Sequence, residues 1–245
     1  MALWDECERV GNWFFRWRSY LPLLLLVLFL LTLYDLAQVP GSTVPGRVWE
    51  LFCLGISGLG LFVRILTVGF VPRGTSGRNT RNQVASVLNT SGMYSLVRHP
   101  LYLGNFLMWL GIALFLGVWW LTLIFCLTFW LYYEKIMYAE EVFLQEKFAE
   151  SFQTWAARTP LFIPRLRGWQ APTLEFSWRS ALKREYASFF AMISIFFTLH
   201  LLSRLYLQRT LAVDTLWLAI FLISLVFYGT VRYLKKKTTL LQDDR

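Results

Sequence analysis

Apolar residues collect in six blocks, roughly 20–36, 48–70, 101–117, 118–134, 188–207 and 212–234, separated by stretches rich in charge, Gly, Ser and Asn. Crossing the hydrocarbon core of a bilayer takes about 20 apolar residues as a helix. The pattern therefore predicts an all-α, polytopic membrane protein with about six transmembrane helices. The first block, "YLPLLLLVLFLLTLYDLA", has a basic flank like that of a signal peptide. The "VPGST" after it is a poor cleavage site and its core is long, so it reads as a retained helix. The third and fourth blocks meet at "LGVWW", which predicts a tight helical hairpin. Arg64 lies inside the second block, where a charge must face protein or snorkel to the interface.

Residues 131–158, "LYYEKIMYAEEVFLQEKFAESFQTWAAR", contain no Gly or Pro. Ile136, Leu144, Phe148, Phe152 and Trp155 recur at steps of three and four on one stripe, so the fourth block is expected to continue as an amphipathic helix. Glu140 sits on that stripe, one turn after Ile136 and one turn before Leu144. A carboxylate on a packed face is costly unless a partner satisfies it. The partner is either a nearby Arg or a ligand hydroxyl or ammonium. Glu141 is expected to point away and be solvated. "RTPLFIP" then ends the helix with two prolines.

Charge is sparse, at 16% of residues, against about 25% in soluble domains. The mean hydropathy is +0.47. The net charge is +9. On a membrane protein such an excess belongs to cytoplasmic loops meeting anionic lipid, and no nucleic-acid partner is expected. Arg9, Arg16 and Arg18 precede the first block, and only Arg47 lies between the first and second. Arg73, Arg78, Arg81 and Arg98 follow the second. The 135–187 stretch is rich in Lys and Arg, the 208–211 link has Arg209, and the tail is basic again. High and low alternate as six spans with both termini cytoplasmic require. That places 71–98 and 135–187 on the same, cytoplasmic face of what is expected to be a bacterial inner membrane. Cys7, Cys53 and Cys126 are too scattered for a zinc site or a disulfide framework, so no metal is expected.

"PRGTSGRNTRNQVASVLNTSGMYSLVRHP" precedes the third block. Gly74, Gly77 and Gly92 permit turns, and by composition the segment is as compatible with a plain linker as with a site. Tyr94 and Tyr102 alone would be interface anchors. Arg98 and His99 do not aid insertion. Pro100 steers His99 away from α geometry and presets a helix start, and Gly104 allows close backbone approach. The cluster has the composition of a polar pocket at the mouth of a helix.

Together, "TSGMYSLVRHPLYLGNF" and, one hairpin later, "EEVFLQEKFAESFQTWAARTPLFIP" resemble the isoprenylcysteine carboxyl methyltransferase and phospholipid methyltransferase superfamily, over about residues 75–165. The resemblance implies a membrane-embedded enzyme that uses S-adenosylmethionine. It implies that the cofactor is held by Ser86, Val87, Leu88 and Asn89, by Tyr94, by the run His99, Pro100, Leu101 and Tyr102, and by Glu140, with Asn79 at the position of a cofactor-contacting Gln. In the isoprenylcysteine enzymes an Arg that contacts substrate lies one turn before the Glu. Here that position is Ile136, with Lys135 beside it. "RGTSGRNT" and the two C-terminal blocks look like a bacterial branch linked to methylation of lipid A phosphate. The expected division is a two-span region over 1–70, a methyltransferase core over 71–168 and a two-span extension over 169–245.

An ionised phosphate or carboxylate needs no base to accept a methyl group, whereas an amine with a pKa of about 10.4 must first lose a proton. Arg98 and His99 are the candidate catalytic residues, and Arg78, Arg98 and Lys135 suit an anionic acceptor. The expected reaction is O-methylation of an acidic group of a membrane lipid, lipid A phosphate being favoured. Isoprenylcysteine carboxyl and phosphatidylethanolamine nitrogen are the alternatives. Membrane sterol reductases also resemble the chain through an Arg-His-Pro motif and use NADPH, but usually carry Asn where this chain has Leu101. A scaffold with basic loops would leave Glu140 unexplained. In the fifth block, His200 and Arg204 share a face, where a headgroup contact, a pairing with Asp214 or Glu175, or a snorkelling Arg is expected.

Overall fold

A computed structural model describes residues 3–18, 24–39, 46–72, 75, 85–211 and 213–241. The described chain is helical, in the order α1 (Leu3–Trp17), α2 (Leu24–Gln38), α3 (Arg47–Gly69), α4 (Met93–Leu96), α5 (Pro100–Leu114), α6 (Trp119–Ala156), α7 (Trp178–Gln208) and α8 (Thr215–Lys237). Every apolar block of the sequence is a helix. Among the described residues, α3, α7 and α8 are long and apolar enough to cross a membrane, with window hydropathies of 2.1, 1.6 and 1.7. Apolar side chains such as Leu31, Phe52, Phe62, Ile223 and Val226 stand exposed on the bundle surface, as lipid-facing residues do. The chain is an integral membrane protein.

Three features depart from the sequence pattern. An N-terminal helix, α1, precedes the first block. α7 starts ten residues before its block, because Ser177 caps it by accepting from the Ser180 amide. The long α6 is broken at Ala149, whose φ of 42° and ψ of −114° lie outside the helical region. The hairpin at "LGVWW" is as expected: Gly117 adopts a φ of 69° between α5 and α6.

Small residues set the central contact. Gly60 on α3 meets Gly104 on α5, and a Cβ on Gly60 would lie 2.6 Å from the Met108 amide. Gly111 packs against the Cys53 carbonyl and Ser57, and Ser57 Oγ donates to the Met108 carbonyl at 2.6 Å. In lipid there is no hydrophobic drive between helices, so close backbone approach and internal hydrogen bonds hold them together.

Arg64 faces protein. Its stem runs across Gly104, and its guanidinium donates to Glu185 on α7 at 2.9 and 2.7 Å and to Asn105 on α5 at 2.5 Å. His200 is paired with neither Asp214 nor Glu175. It faces Glu50 of α3 at 2.9 Å, and Glu50 also accepts from Trp217 Nε1 of α8 at 2.7 Å. Asp214 instead pairs with Arg47 at 2.7 Å and caps α8. Buried carboxylates on α3 and α7 thus dock the C-terminal hairpin against the central pair. Lipid cannot compensate a charge left alone, so removing one partner of such a pair costs about 3–5 kcal/mol. Glu185→Ala is expected to lower stability by about that amount, measured by unfolding in detergent, and Arg64→Met in the same chain should recover part of it.

Candidate functional site

Pro100 occupies the first turn of α5, and His99 stands just before it with φ −121° and ψ 64°. The residue lies outside the α region, which a following proline disfavours. Pro has no amide to lose there, so the helix starts at no cost in hydrogen bonds. The loop leading in is tied to the segment after α6. The Gly92 amide donates to the Gln170 carbonyl at 2.9 Å, the Arg98 amide to Pro160 at 2.9 Å and the Arg165 amide to Leu96 at 3.0 Å. The Trp155 indole donates to the Tyr94 carbonyl at 3.0 Å. The "TPLFIP" stretch therefore forms a backing for the Arg-His-Pro loop.

His99 is 6% exposed. Its Nε2 faces Glu141 at 2.9 Å and its Nδ1 faces Glu140 at 3.5 Å. Arg98 donates to the other Glu141 oxygen at 3.0 Å. Glu141 therefore faces the motif and is paired, in contrast to the sequence expectation that it points away. Side chains one position apart on a helix diverge by about 100°, but a ring approaching between them meets both. Tyr102 stacks on His99 with centroids 5.6 Å apart. Tyr133 packs against Tyr102 and accepts from Asn105 at 3.4 Å, which links the cluster to Arg64.

Burial alone would lower the His99 pKa, but the hydrogen bonds and charges of Glu140 and Glu141 outweigh it and raise the pKa above the ordinary value. Burial would raise Glu140. The hydrogen bond and charge of His99, the charge of Arg18 and the Tyr102 hydroxyl hold it below the usual carboxylate range. The Glu140 side chain nevertheless keeps 31% of its surface open. Arg98 Nε is buried with no hydrogen-bond partner among the described residues. A partly open carboxylate and an orphaned donor beside it match the ammonium and carboxylate of an amino-acid-like ligand.

The structure brings Arg98, His99, Pro100, Tyr102 and Glu140 together. Leu101 stays half-buried in the first turn of α5, and Tyr94 contributes its carbonyl to Trp155. Ser86 and Val87 are exposed, Leu88 and Asn89 half-buried. Just after them, Thr90 lines a cavity of about 520 Å³ with Ser95, Thr154, Trp155 and Arg158. This volume is in the range of small-molecule pockets. The cavity does not include His99 or the paired carboxylates. Lys135 makes no bond to the cluster among the described residues; its carbonyl lies beneath Gly11 of α1. Asn79, Arg78, Gly74 and Gly77 lie outside the described residues. Sequence periodicity missed Arg18, Asn105 and Tyr133, which reach the cluster from other helices or from an apolar helix face. Among the described residues, no three His, Cys, Asp or Glu side chains are grouped to hold a metal ion.

A membrane helical bundle with an imidazole between two carboxylates at a helix mouth is the class that this geometry defines. Residues 74–151 match the family model described as phospholipid methyltransferase. The chain is 31% identical over 120 residues to a protein-S-isoprenylcysteine O-methyltransferase of Schizosaccharomyces pombe, covering 48% of this chain and 50% of that protein. It is 43% identical over 81 residues to the cobalt-zinc-cadmium resistance protein CzcN of Cupriavidus metallidurans, covering 33% and 37%. It is 37% identical over 109 residues to the nickel-cobalt-cadmium resistance protein NccN of Alcaligenes xylosoxydans xylosoxydans, covering 42% and 51%. The chain thus spans about half or less of the length of these relatives. No solved structure matches.

The raised His99 pKa has a measurable consequence. Stabilisation from a histidine whose pKa rises on folding is complete below its unfolded value, about 6.5, and is lost as pH climbs through the folded value. Thermal midpoints of the protein should therefore fall from pH 6 towards pH 9 more steeply than those of His99→Gln. Parallel curves would mean that His99 titrates alike in the folded and the unfolded chain.

Proposed function

We propose that the protein is an S-adenosylmethionine-dependent methyltransferase that O-methylates an acidic group of a membrane lipid. The bracketing of His99 by Glu140 and Glu141 carries this reading. A protonated imidazole held between two carboxylates has no lone pair for a proton, and a carboxylate with a lowered pKa is a weak base. An acceptor ionised at neutral pH needs neither.

When bound, S-adenosylmethionine supplies a sulfonium methyl group; an acceptor O–CH3 bond forms as the S–CH3 bond breaks, and an ionised oxygen leaves no proton to place. The residues of the chain do the holding. Glu140 offers its open oxygen to the ammonium or a hydroxyl, and Arg98 Nε offers a donor to the carboxylate. His99 and Tyr102 keep Glu140 in place, as positioning chemistry requires. Ser86, Val87, Leu88, Asn89 and Tyr94, with Asn79 and Leu101, form the rest of the proposed cofactor strip, beside the cavity at Thr90.

Among acidic acceptors, a phosphate of a multi-chain lipid such as lipid A is favoured. Arg78, Arg98 and Lys135 suit a phosphate, and α7 and α8 widen the lipid-facing surface. The resemblance to the S. pombe enzyme supports a second reading, methylation of an isoprenylcysteine carboxylate. The test offers the purified protein labelled S-adenosylmethionine with lipid A, dephosphorylated lipid A, a farnesylcysteine analogue and phosphatidylethanolamine. Label is expected on lipid A and not after removal of its phosphates, and Glu140→Gln should cut transfer by about tenfold or more. Label on the farnesylcysteine analogue alone selects the second reading. Label on phosphatidylethanolamine nitrogen alone overturns the acidic acceptor.

The proposed topology has six spans with termini and site in the cytoplasm. Reporter fusions after residues 43 and 210 should read outside, and those after 85 and 170 inside. Opposite sides for 85 and 170 are incompatible with a site shared by the Arg-His-Pro loop and α6.

A further inference from the structure

The link between α6 and α7 carries a row of bare apolar side chains. In "LFIPRLRGWQ", residues 161–170, Ile163 is 81% exposed and Leu166 77%, and Trp169 is exposed as well. The three stand three residues apart, with Arg165 and Arg167 between them, and Leu166–Gly168 forms a single 3-10 turn. The backbone beneath the row is fixed to the loop that leads to His99. The Arg165 amide donates to the Leu96 carbonyl and the Gln170 amide to Ser95 Oγ at 2.9 Å. Gly168 packs so close to the Ser95 carbonyl that a Cβ would lie 3.2 Å from it. Exposed apolar side chains rimmed by polar ones mark a contact with protein or membrane.

The neighbours of the row point to lipid. Phe162 reaches back to the apolar helices: its ring lies 5.7 Å from Phe106 of α5 and 5.6 Å from Trp130 of α6. Trp130 belongs to an apolar block and is itself exposed on the bundle surface, and Ile163 follows Phe162 directly. The link then runs into α7, a helix long and apolar enough to span the membrane. The start of α7 is tied to the end of α3, where the Ser177 amide donates to the Gly69 carbonyl at 2.8 Å. Trp178, the first residue of α7, is exposed, and tryptophan is enriched at the membrane–water interface. Arg167 is exposed, and Arg165 spends one nitrogen on the Arg158 carbonyl. Aliphatic and indole side chains alternating with Arg suit the headgroup region of an anionic leaflet. We infer that residues 161–170 form an interfacial anchor, with Ile163, Leu166 and Trp169 in the lipid and Arg165 and Arg167 on anionic headgroups. The same stretch backs the Arg-His-Pro loop, so the anchor fixes that loop at the membrane surface.

The test reads depth in a bilayer, so it does not depend on turnover. Ile163→Cys and Leu166→Cys, each in the full chain, are labelled with an environment-sensitive fluorophore and reconstituted into phosphatidylcholine vesicles containing phosphatidylglycerol. Label on the native thiols, of which Cys53 is buried and Cys7 and Cys126 half-buried, is subtracted with unaltered protein treated alike. Lipid carrying a nitroxide about 5–10 Å below the headgroups should quench both positions at least about twofold more than acrylamide in the water does, as for an interfacial segment. Gln145→Cys, at an exposed position of α6, should show the reverse, and Ile223→Cys on α8 should follow the lipid pattern. In phosphatidylcholine alone, lipid quenching at Leu166→Cys should fall, and Arg167→Gln should reproduce that fall in the mixed vesicles. Trp169→Cys reads the same row if either variant fails to reconstitute. Acrylamide quenching at 163 and 166 equal to that at 145 overturns the anchor. So does protection from both quenchers, because protein, such as a second copy of the chain, then covers the row. Lipid quenching that ignores both phosphatidylglycerol and Arg167→Gln overturns the assignment of the arginines to headgroups.

Discussion

His99 meets Glu141 through Nε2 and Glu140 through Nδ1, and these two contacts join the start of α5 to the polar half of α6. A buried ring with two carboxylates is stable only if it is charged or both partners are otherwise satisfied. Arg98 shares the load by binding the remaining Glu141 oxygen. The loop before His99 is held by ordinary backbone bonds, from Gly92 to Gln170, from Arg98 to Pro160 and from Arg165 to Leu96. The same arrangement that makes the cluster rigid makes it a poor proton acceptor.

Behind the cluster a polar chain runs into the bundle. Tyr133 packs on Tyr102, Asn105 donates to Tyr133, and Arg64 connects Asn105 to Glu185. Each group is satisfied by the next, which is the condition for polar residues inside an apolar bundle. Gly104 makes the chain possible by leaving room for the Arg64 stem. Glu185 belongs to α7 and Arg64 to α3, both outside the family-matched stretch of 74–151. The flanking helices thus complete the surroundings of the matched segment. At the other end of α3, Glu50 gathers His200 and Trp217 and so ties α7 and α8 to the same central pair.

Glu140 keeps an open edge, and α1 flanks it with an apolar side packed on α6 and an aromatic side facing out.

The helices were legible because bilayer burial imposes long apolar runs, and Glu140 was legible because it interrupts a periodic stripe. Pro100 and His99 announced the helix start through covalent geometry alone. These are local constraints, written in neighbouring residues. The Glu141 partner, the Glu50–His200 pair, the role of Gly11 and the place of Arg18 depend on which helices meet and at what rotation. Nothing within a helix specifies the imidazole that enters between two of its carboxylates from another segment. Only the tertiary packing, set by small residues at α3–α5 and α1–α6, decided those contacts. Local periodicity reports which face of a helix is buried, not which residue is buried against it.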